Sequence, residues 1–389
     1  MYKRQVLHPT AGAETGFISN VFFQHEDPRR AGVLRILLEL QAASLSNQRL
    51  NAESADGGAE GDAQQDIGDL EWTAGLRVVG QEYLSTNDAV QAQHDFGWGA
   101  NVHGVVFPRK TWQFAFDDDY TRDFRPTNFE SQGKVNRDIN RLVLKLKYQP
   151  EGRTLSGHLS FTNLIDVFEG DEHDFANRIQ NSLGARADWR IFPFTNIYGE
   201  ASIGYFSGLG SASEKATSFP LRITSGIQSA ITVNTTAALN VGFAKGFYSE
   251  GPDFTMATFG GRFGYRYSPE ARSTILYDYN FADSINANFY RDHALRLQHE
   301  QLIRDYQASA KAGLVFRSYR GVDPGLMGSG GDRNDVIFDA SLAVSRSFRD
   351  WLAGSIEYHF ETDQTGYMQA GDDPSYTRHQ LLVGIRAAL

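Results

Sequence analysis

The stretch from Leu34 to Ala42 reads LRILLELQA, and every second position in it is apolar. The positions between them carry, among others, Arg35, Glu39 and Gln41. Successive side chains of a β-strand point to opposite faces, so this period of two predicts a strand with one apolar and one largely polar face. Soluble sheets and membrane barrels both use such strands, and the rest of the chain distinguishes between them.

The same alternation recurs along nearly the whole chain, in segments of roughly 8 to 15 residues. Clear examples are Trp72–Val78, Phe96–Val102, Leu142–Tyr148, Ala257–Tyr267 and Leu381–Leu389. We count about eighteen such segments. They begin near residues 16, 31, 69, 91, 110, 136, 154, 177, 195, 218, 235, 254, 271, 290, 304, 335, 351 and 375. The sequence therefore predicts an all-β chain.

The composition excludes several classes of protein. The mean hydropathy is -0.40, and no run of about 18 to 20 apolar residues is present, which excludes helical membrane proteins. The net charge of -10 argues against a nucleic-acid binder. The chain has no Cys, which excludes disulfides and thiolate sites and suits a protein of an oxidising envelope compartment.

The connections between the predicted strands alternate in length. Short turns recur, as at Pro150–Gly152 and Ser268–Glu270, and longer polar loops lie between them, as at 125–135 and 320–335. Short periplasmic turns opposite longer extracellular loops are typical of outer-membrane barrels. We therefore predict a transmembrane antiparallel up-and-down β-barrel of about 18 strands, located in a bacterial outer membrane, and the even strand number places both termini in the periplasm.

We predict a single barrel over residues 16–389, preceded by a periplasmic N-terminal segment at 1–15. The first five residues lack the apolar region of a signal peptide, so we expect a mature chain with an added initiator Met. The connection at 47–69 differs from the other turns, because it is long and acidic. It is either a flexible solvated insertion or a plug or docking segment.

Aromatic side chains lie beside the short turns, where the membrane interface is expected. Amphipathic rings prefer the headgroup region and form girdles around membrane barrels. The residues of this predicted periplasmic girdle are Phe107, Trp112, Tyr148, Trp189, Tyr267 and Trp351.

The entry to the first predicted strand is Gly16-Phe17-Ile18-Ser19-Asn20-Val21-Phe22. With the hairpins that follow, it resembles a family of β-barrel porins that includes the Wzp-type exopolysaccharide export barrels. The resemblance covers nearly all of the chain by architecture, and its sequence-specific part is this short motif. It implies an eighteen-stranded outer-membrane conduit for a polymer, with a separate periplasmic polysaccharide export protein beneath it. The acidic insertion at 47–69 departs from the short turn of that family.

Basic side chains recur on the polar face, which is expected to line the lumen. Arg side chains bind carboxylates and phosphates with two hydrogen bonds, so a ladder of them suits an anionic polymer. Alternatively, Asp188, Glu200 and Asp278 neutralise these residues and stiffen the wall. The predicted substrate-binding residues of the lumen are Arg186, Arg190, Arg222, Arg262 and Arg266.

Catalytic and metal sites find little support in the sequence. His293 and His299 fall on the predicted lipid-facing side without a Ser nucleophile motif, so we predict that the protein is not an enzyme. The other His residues are scattered, so we predict neither a metal site nor a cofactor. The acidic loop pairs Asp171-Glu172 and Asp372-Asp373 either hold divalent cations that bridge lipopolysaccharide or are solvated loop charges.

These observations predict a conduit that secretes a polysaccharide to the cell surface. The alternative is a passive diffusion porin for small hydrophilic solutes, and a third class is an envelope scaffold that conducts nothing. The expected partners are the lipid bilayer, lipopolysaccharide, the polysaccharide and a periplasmic polysaccharide export protein, with no nucleic acid.

Overall fold

The computed structural model describes residues 6–44, 69–93, 95–123, 136–152, 154–170, 174, 177–210, 217–251, 253–284, 287–320, 333–368 and 373–388. Within these residues the chain forms eighteen β-strands and one short helix, α1, at Asp88–Gln91. The strands are β1 Val6–Ile18, β2 Ala31–Ala43, β3 Leu70–Leu84, β4 Asp95–Val106, β5 Trp112–Asp123, β6 Arg137–Tyr148, β7 Leu155–Phe168, β8 Arg178–Phe192, β9 Thr195–Gly208, β10 Ser218–Ala230, β11 Thr235–Tyr248, β12 Phe254–Ser268, β13 Ala271–Asp283, β14 Phe289–Ile303, β15 Tyr306–Arg320, β16 Asn334–Arg349, β17 Leu352–Thr365 and β18 Tyr376–Ala388. No helix in this part of the chain is long and apolar enough to cross a membrane.

The strands close into a barrel. Each strand pairs antiparallel with its neighbours in sequence, and β1 pairs with β18 as well as with β2. We call the end with short connections, such as 193–194 and 269–270, the turn end, and the opposite end the loop end. β1 starts and β18 finishes at the turn end, where Thr10 faces Ala388. The predicted fold class, an antiparallel β-barrel of eighteen strands, is confirmed.

The predicted strand positions agree with the structure to within a few residues, except at the start. β1 begins at Val6, so most of the predicted N-terminal segment at 1–15 is a strand. That stretch contains Pro9 and several small residues, which leaves little apolar alternation, but pairing with β2 fixes it as a strand. The predicted acidic insertion at 47–69 lies outside the described residues, apart from Asp69.

Paired residues of antiparallel strands point to the same side of the sheet. The pairings therefore assign the residues of every strand to the inner or the outer face of the barrel. Glu14, Arg35 and Gln81 face one another on the inner side of three neighbouring strands. Leu34 and Ile36 point outward and are 39% and 55% exposed. A continuous apolar outer surface is unfavourable in water and favourable against lipid tails. The outer face is therefore that of a membrane-spanning barrel.

Aromatic and histidine side chains border the apolar outer surface at both ends of the barrel. At the loop end, Tyr277 contacts His293 and Tyr358 contacts His379, each with 2.8 Å between the hydroxyl and Nδ1. At the turn end the predicted girdle is present, with Tyr148 packed on Trp112. The other five predicted girdle side chains are 46% to 60% exposed: Phe107, Trp112, Trp189, Tyr267 and Trp351.

The Gly16–Phe22 motif joins the first strand to the last. Gly16 lies so close to β18 that a Cβ atom there would collide with the carbonyl oxygen of Leu381. The Ser19 N–H donates to the carbonyl of His379 (2.9 Å), and the Ser19 hydroxyl accepts from the N–H of His379 (2.8 Å). Asn20 is 1% exposed, and its amide donates to two nearby carbonyls. Barrel closure therefore explains why these small and polar residues occur here.

Replacing Gly16 by Ala is expected to destabilise the closing pair. The added methyl group meets backbone atoms that cannot turn away, and overpacking of this kind costs about 1 to 3 kcal/mol. Urea unfolding of the barrel refolded into lipid vesicles measures the loss. Gly199→Ala is the matched control, because a Cβ at Gly199 meets nothing within 4 Å. Equal unfolding midpoints for the two variants would contradict the steric explanation.

Candidate functional site in the lumen

The inner face is polar and open in the middle of the barrel. Barrels of roughly 16 to 18 strands are wide enough to enclose an aqueous channel. Charged inner side chains in this zone are exposed, and they include Arg77, Arg141, Arg262, Arg296, Lys311 and Glu357. Arg266 is also exposed on the inner face, nearer the turn end. The middle of the lumen is therefore a solvated passage lined by both signs of charge.

The inner face is packed near the loop end, between β15 and β18. Arg333, Asp335 and Asp363 are each at most 1% exposed there. The Nη2 atom of Arg333 lies 2.8 Å from the Asp335 carboxylate and 3.9 Å from the Asp363 carboxylate. The Arg333 guanidinium also stacks 4.8 Å from the ring centroid of Tyr319. Buried charges of this kind are tolerated because their opposite signs pair.

Similar ion pairs occur elsewhere around the loop end. Asp166 is 1% exposed and accepts hydrogen bonds from Arg137 (2.5 Å) and Arg178 (2.8 Å). Arg317 donates two hydrogen bonds, of 2.9 and 2.8 Å, to the carboxylate of Asp292. These side chains narrow the lumen at the loop end, and in the described residues their charges largely neutralise one another.

Helix α1 also occupies the loop end of the lumen. It lies in the connection from β3 to β4, and the Asn87 side chain caps it by accepting from the N–H groups of Ala89 and Val90. Val90 is fully buried in a cluster with the inward-facing Ile18, Val33 and Leu382. Because these residues belong to β1, β2 and β18, the connection must fold inward over the mouth. The helix therefore forms one side of the narrow loop end.

The structure places all five predicted lumen arginines on the inner face. Arg186 is neutralised, as the alternative explanation expects. Its guanidinium lies 2.8 Å from Asp188 and 3.3 Å from Glu200, and it stacks 3.9 Å from the ring centroid of Tyr198. Arg186 is therefore part of the wall rather than a free anion-binding group.

Arg222 is also engaged by the wall. It donates to the Asn280 side-chain oxygen (3.2 Å) and to the Phe281 carbonyl (3.0 Å). It thus lies near the loop end, away from the exposed arginines in the middle of the barrel. The predicted ladder of five is not one continuous path.

Arg190, Arg262 and Arg266 remain exposed in the lumen. Arg190 donates to the carbonyl of Gly152. Among the described residues, neither Arg262 nor Arg266 forms an ion pair. Two of the five predicted residues therefore present guanidinium groups that solutes can reach.

Register adds a residue that sequence reasoning missed. Successive pairings link Arg190, Asn196, Gln228, Ala238, Arg262, Leu276 and Arg296 into one row across neighbouring strands. We call Arg190, Arg262 and Arg296 the basic row. Alternation alone places Arg296 on the inner face of β14, but only the register shows which residues of the neighbouring strands share its row.

For the two acidic loop pairs the sequence left two alternatives, divalent-cation sites or solvated loop charges. Asp171-Glu172 and Asp372 lie outside the described residues. Asp373 lies 3.6 Å from His25. Burial raises the pKa of the Asp373 carboxyl, but hydrogen bonds from the Ser375 hydroxyl and N–H, together with His25, outweigh this and hold the pKa below its ordinary value. Asp373 is therefore an ionised carboxylate already paired within the protein.

No protein-family model matches the chain, and no curated protein matches it. Among solved structures, Pseudomonas aeruginosa OpdO covers 98% of this chain and 97% of its own, at 10% identity and a TM-score of 0.50. The crystal structure of Pseudomonas aeruginosa OpdK with vanillate covers 98% of this chain and 99% of its own, at 8% identity and a TM-score of 0.49. Acinetobacter baumannii OccAB3 matches at 10% identity and a TM-score of 0.47, covering 98% and 99%. At these identities the likeness to OpdO shows a shared fold.

The prediction of polysaccharide export is wrong. The whole-chain likeness is to barrels such as OpdO. Neither the family models nor the curated proteins give a match that supports the resemblance to Wzp-type export barrels. The packed loop end is also unsuited to a bulky hydrated polymer, because α1 and buried ion pairs occupy it.

Proposed function

We propose that the protein is a passive diffusion channel of a bacterial outer membrane, for small hydrophilic solutes and with a preference for anions. The apolar outer surface with a ring girdle at each end supports the location. The solvated, polar middle of the lumen supports passage without a tight binding step, since conduction requires weak and exchangeable contacts.

The basic row carries the proposed anion preference. Guanidinium groups form two-pronged hydrogen bonds with carboxylates and phosphates. Arg262 and Arg296 are exposed and lie in one row, and Arg266 lies four residues after Arg262 on the same face. Exposure keeps these contacts weak, because water competes for the same hydrogen bonds. An anion is thus attracted to this wall without being trapped.

Planar-bilayer recording tests both parts of the proposal. We expect steady conductance from the purified protein without a partner, and a reversal potential in a potassium chloride gradient that shows anion preference. Liposome swelling should also be faster with small sugars than with larger ones. A purified barrel that stays closed in both assays would rule out a diffusion channel.

Replacing Arg262 and Arg266 together by Gln is expected to lower the anion-to-cation permeability ratio severalfold and to leave conductance nearly unchanged. Charged walls act through a Debye length of about 8 to 10 Å, so these two groups influence much of the lumen cross-section. Arg346→Gln is the control, because Arg346 lies on the outward face of β16. An unchanged reversal potential in the double variant would remove Arg262 and Arg266 from the explanation of selectivity.

A further inference from the structure

The strands β12 and β13 separate near the loop end. Their last shared pair in that direction is Phe259 with Tyr279. β12 continues to Phe254 while paired with β11, and β13 continues to Asp283 while paired with β14. In the described residues, no backbone ladder joins the two strands beyond that pair.

Side chains show how the wall is closed there. Phe254 and Met256 belong to the inner face of β12, whereas Phe281 and Phe289 belong to the outer faces of β13 and β14. Yet the ring centroid of Phe254 lies 4.0 Å from that of Phe281 and 4.9 Å from that of Phe289. An inner-face residue of β12 can contact outer-face residues of β13 and β14 only if those strands lie on the lumen side of β12. We call these four residues and this arrangement the β12–β13 overlap.

The overlap is held by apolar contact rather than by a hydrogen-bonded ladder. Its four residues are between 3% and 7% exposed, and Ala244 of β11 is buried with them. Apolar contacts are non-directional, so two such surfaces can slide apart without breaking a row of backbone hydrogen bonds. Separation would connect the lumen with the outer surface of the barrel.

A cation lies at the lumen edge of the overlap. Arg222 extends from β10 to the end of β13, where its guanidinium stacks 4.1 Å from the ring centroid of Phe281. The acceptors of its hydrogen bonds, the Asn280 side chain and the Phe281 carbonyl, are both neutral. Asp278 and Asp283 act on the Arg222 charge, but neither accepts one of these hydrogen bonds. A guanidinium whose hydrogen-bond acceptors are neutral forms stronger, charge-assisted hydrogen bonds when an anionic group replaces them.

We propose that the β12–β13 overlap is a lateral portal, through which a small amphipathic anion passes from the lumen into the outer leaflet of the membrane. The anionic group is held by Arg222, and the apolar body lies against Phe254, Met256 and Phe281. When the ligand accepts the hydrogen bonds of Arg222, it weakens the attachment of the end of β13, which the Tyr248 hydroxyl also holds by donating to Asp283 (3.0 Å), and so favours opening of the overlap. This route goes beyond the diffusion of hydrophilic solutes along the barrel axis.

Thiol labelling in lipid vesicles tests whether the overlap opens to the membrane. The chain has no Cys, so single cysteines report specifically. Met256→Cys lies in the overlap, and Val315→Cys is the matched control, because both side chains are 7% exposed and inward-facing, but Val315 lies in an intact ladder. We expect pyrene maleimide dissolved in the lipid to label Met256→Cys at least tenfold faster. Equal labelling rates would overturn the portal.

Binding of dodecanoate to the purified barrel tests the occupant. We expect Arg222→Gln to weaken binding about tenfold or more, as for loss of a charge-assisted hydrogen bond. Arg29→Gln should leave it unchanged, because Arg29 lies in an exposed ion pair with Asp27. Dodecyltrimethylammonium, a cation with the same tail, should bind much more weakly. Heat-modified migration on gels shows whether each variant keeps its barrel. Equal binding of the cation, or undiminished binding to a folded Arg222→Gln barrel, would overturn the proposal, and neither readout depends on ion flow through the lumen.

Discussion

Replacing Arg333 by Met is expected to lower the free energy of unfolding by about 3 to 5 kcal/mol, as for removal of one partner from a buried ion pair. Arg333 is 1% exposed and is the cation beside the buried carboxylates of Asp335 and Asp363. Met fills a similar volume, so the loss reports the unpaired negative charges and not a cavity. Urea unfolding of the barrel in lipid vesicles measures it.

Two further variants separate this electrostatic cause from a general loss of packing. Arg29→Met removes an exposed ion pair with Asp27, which is expected to contribute about 0 to 1 kcal/mol. The double variant Arg333→Met with Asp363→Asn removes charges of both signs and should recover part of the stability. If the double variant is no more stable than Arg333→Met alone, the unpaired charge of Asp363 is not the cause.

Replacing Val90 by Asp is expected to release α1 from the mouth and to raise the single-channel conductance. Val90 is fully buried against inward-facing residues of β1, β2 and β18. An unpaired carboxylate in that position costs several kcal/mol, and even about 3 kcal/mol shifts the docking equilibrium roughly a hundredfold. Conductance and the size limit in liposome swelling should therefore increase together.

The neighbouring residue provides the control for that experiment. Ala89 lies on the same helix but is exposed, and an acidic residue near a helix N-terminus is tolerated. Ala89→Asp therefore adds the same charge at nearly the same place without undocking α1. If both variants raise conductance equally, charge at the mouth and not the position of the helix controls the current.

Much of the fold is predictable from the sequence, because alternation is a local property of each strand. The start of β16, for example, is predicted near residue 335 and lies at Asn334. The same period of two also predicts that His293 and His299 point outward from β14. The start of β1 is not predictable in this way. Pairing with β2, and not the local pattern, makes its small residues a strand.

The site is less predictable than the fold, because its geometry depends on long-range register. Sequence places Arg186 and Arg262 on the same polar face, but the structure pairs the first with Asp188 and leaves the second exposed. The position of Arg222 depends on the inward displacement of β13, which no alternation pattern encodes. Alternation gives the face of a residue relative to its own strand, and not the displacement of that strand.

The packed loop end also determines the order in which a solute meets the two properties of the channel. A solute entering from the loop end first passes a narrow zone whose charges are largely cancelled by internal pairing, and only then reaches the basic row. The narrow loop end thus selects solutes by size before the basic row selects them by charge. Anions too large for the mouth would therefore not compete with small ones for Arg262 and Arg296, however strongly their own charges attract them.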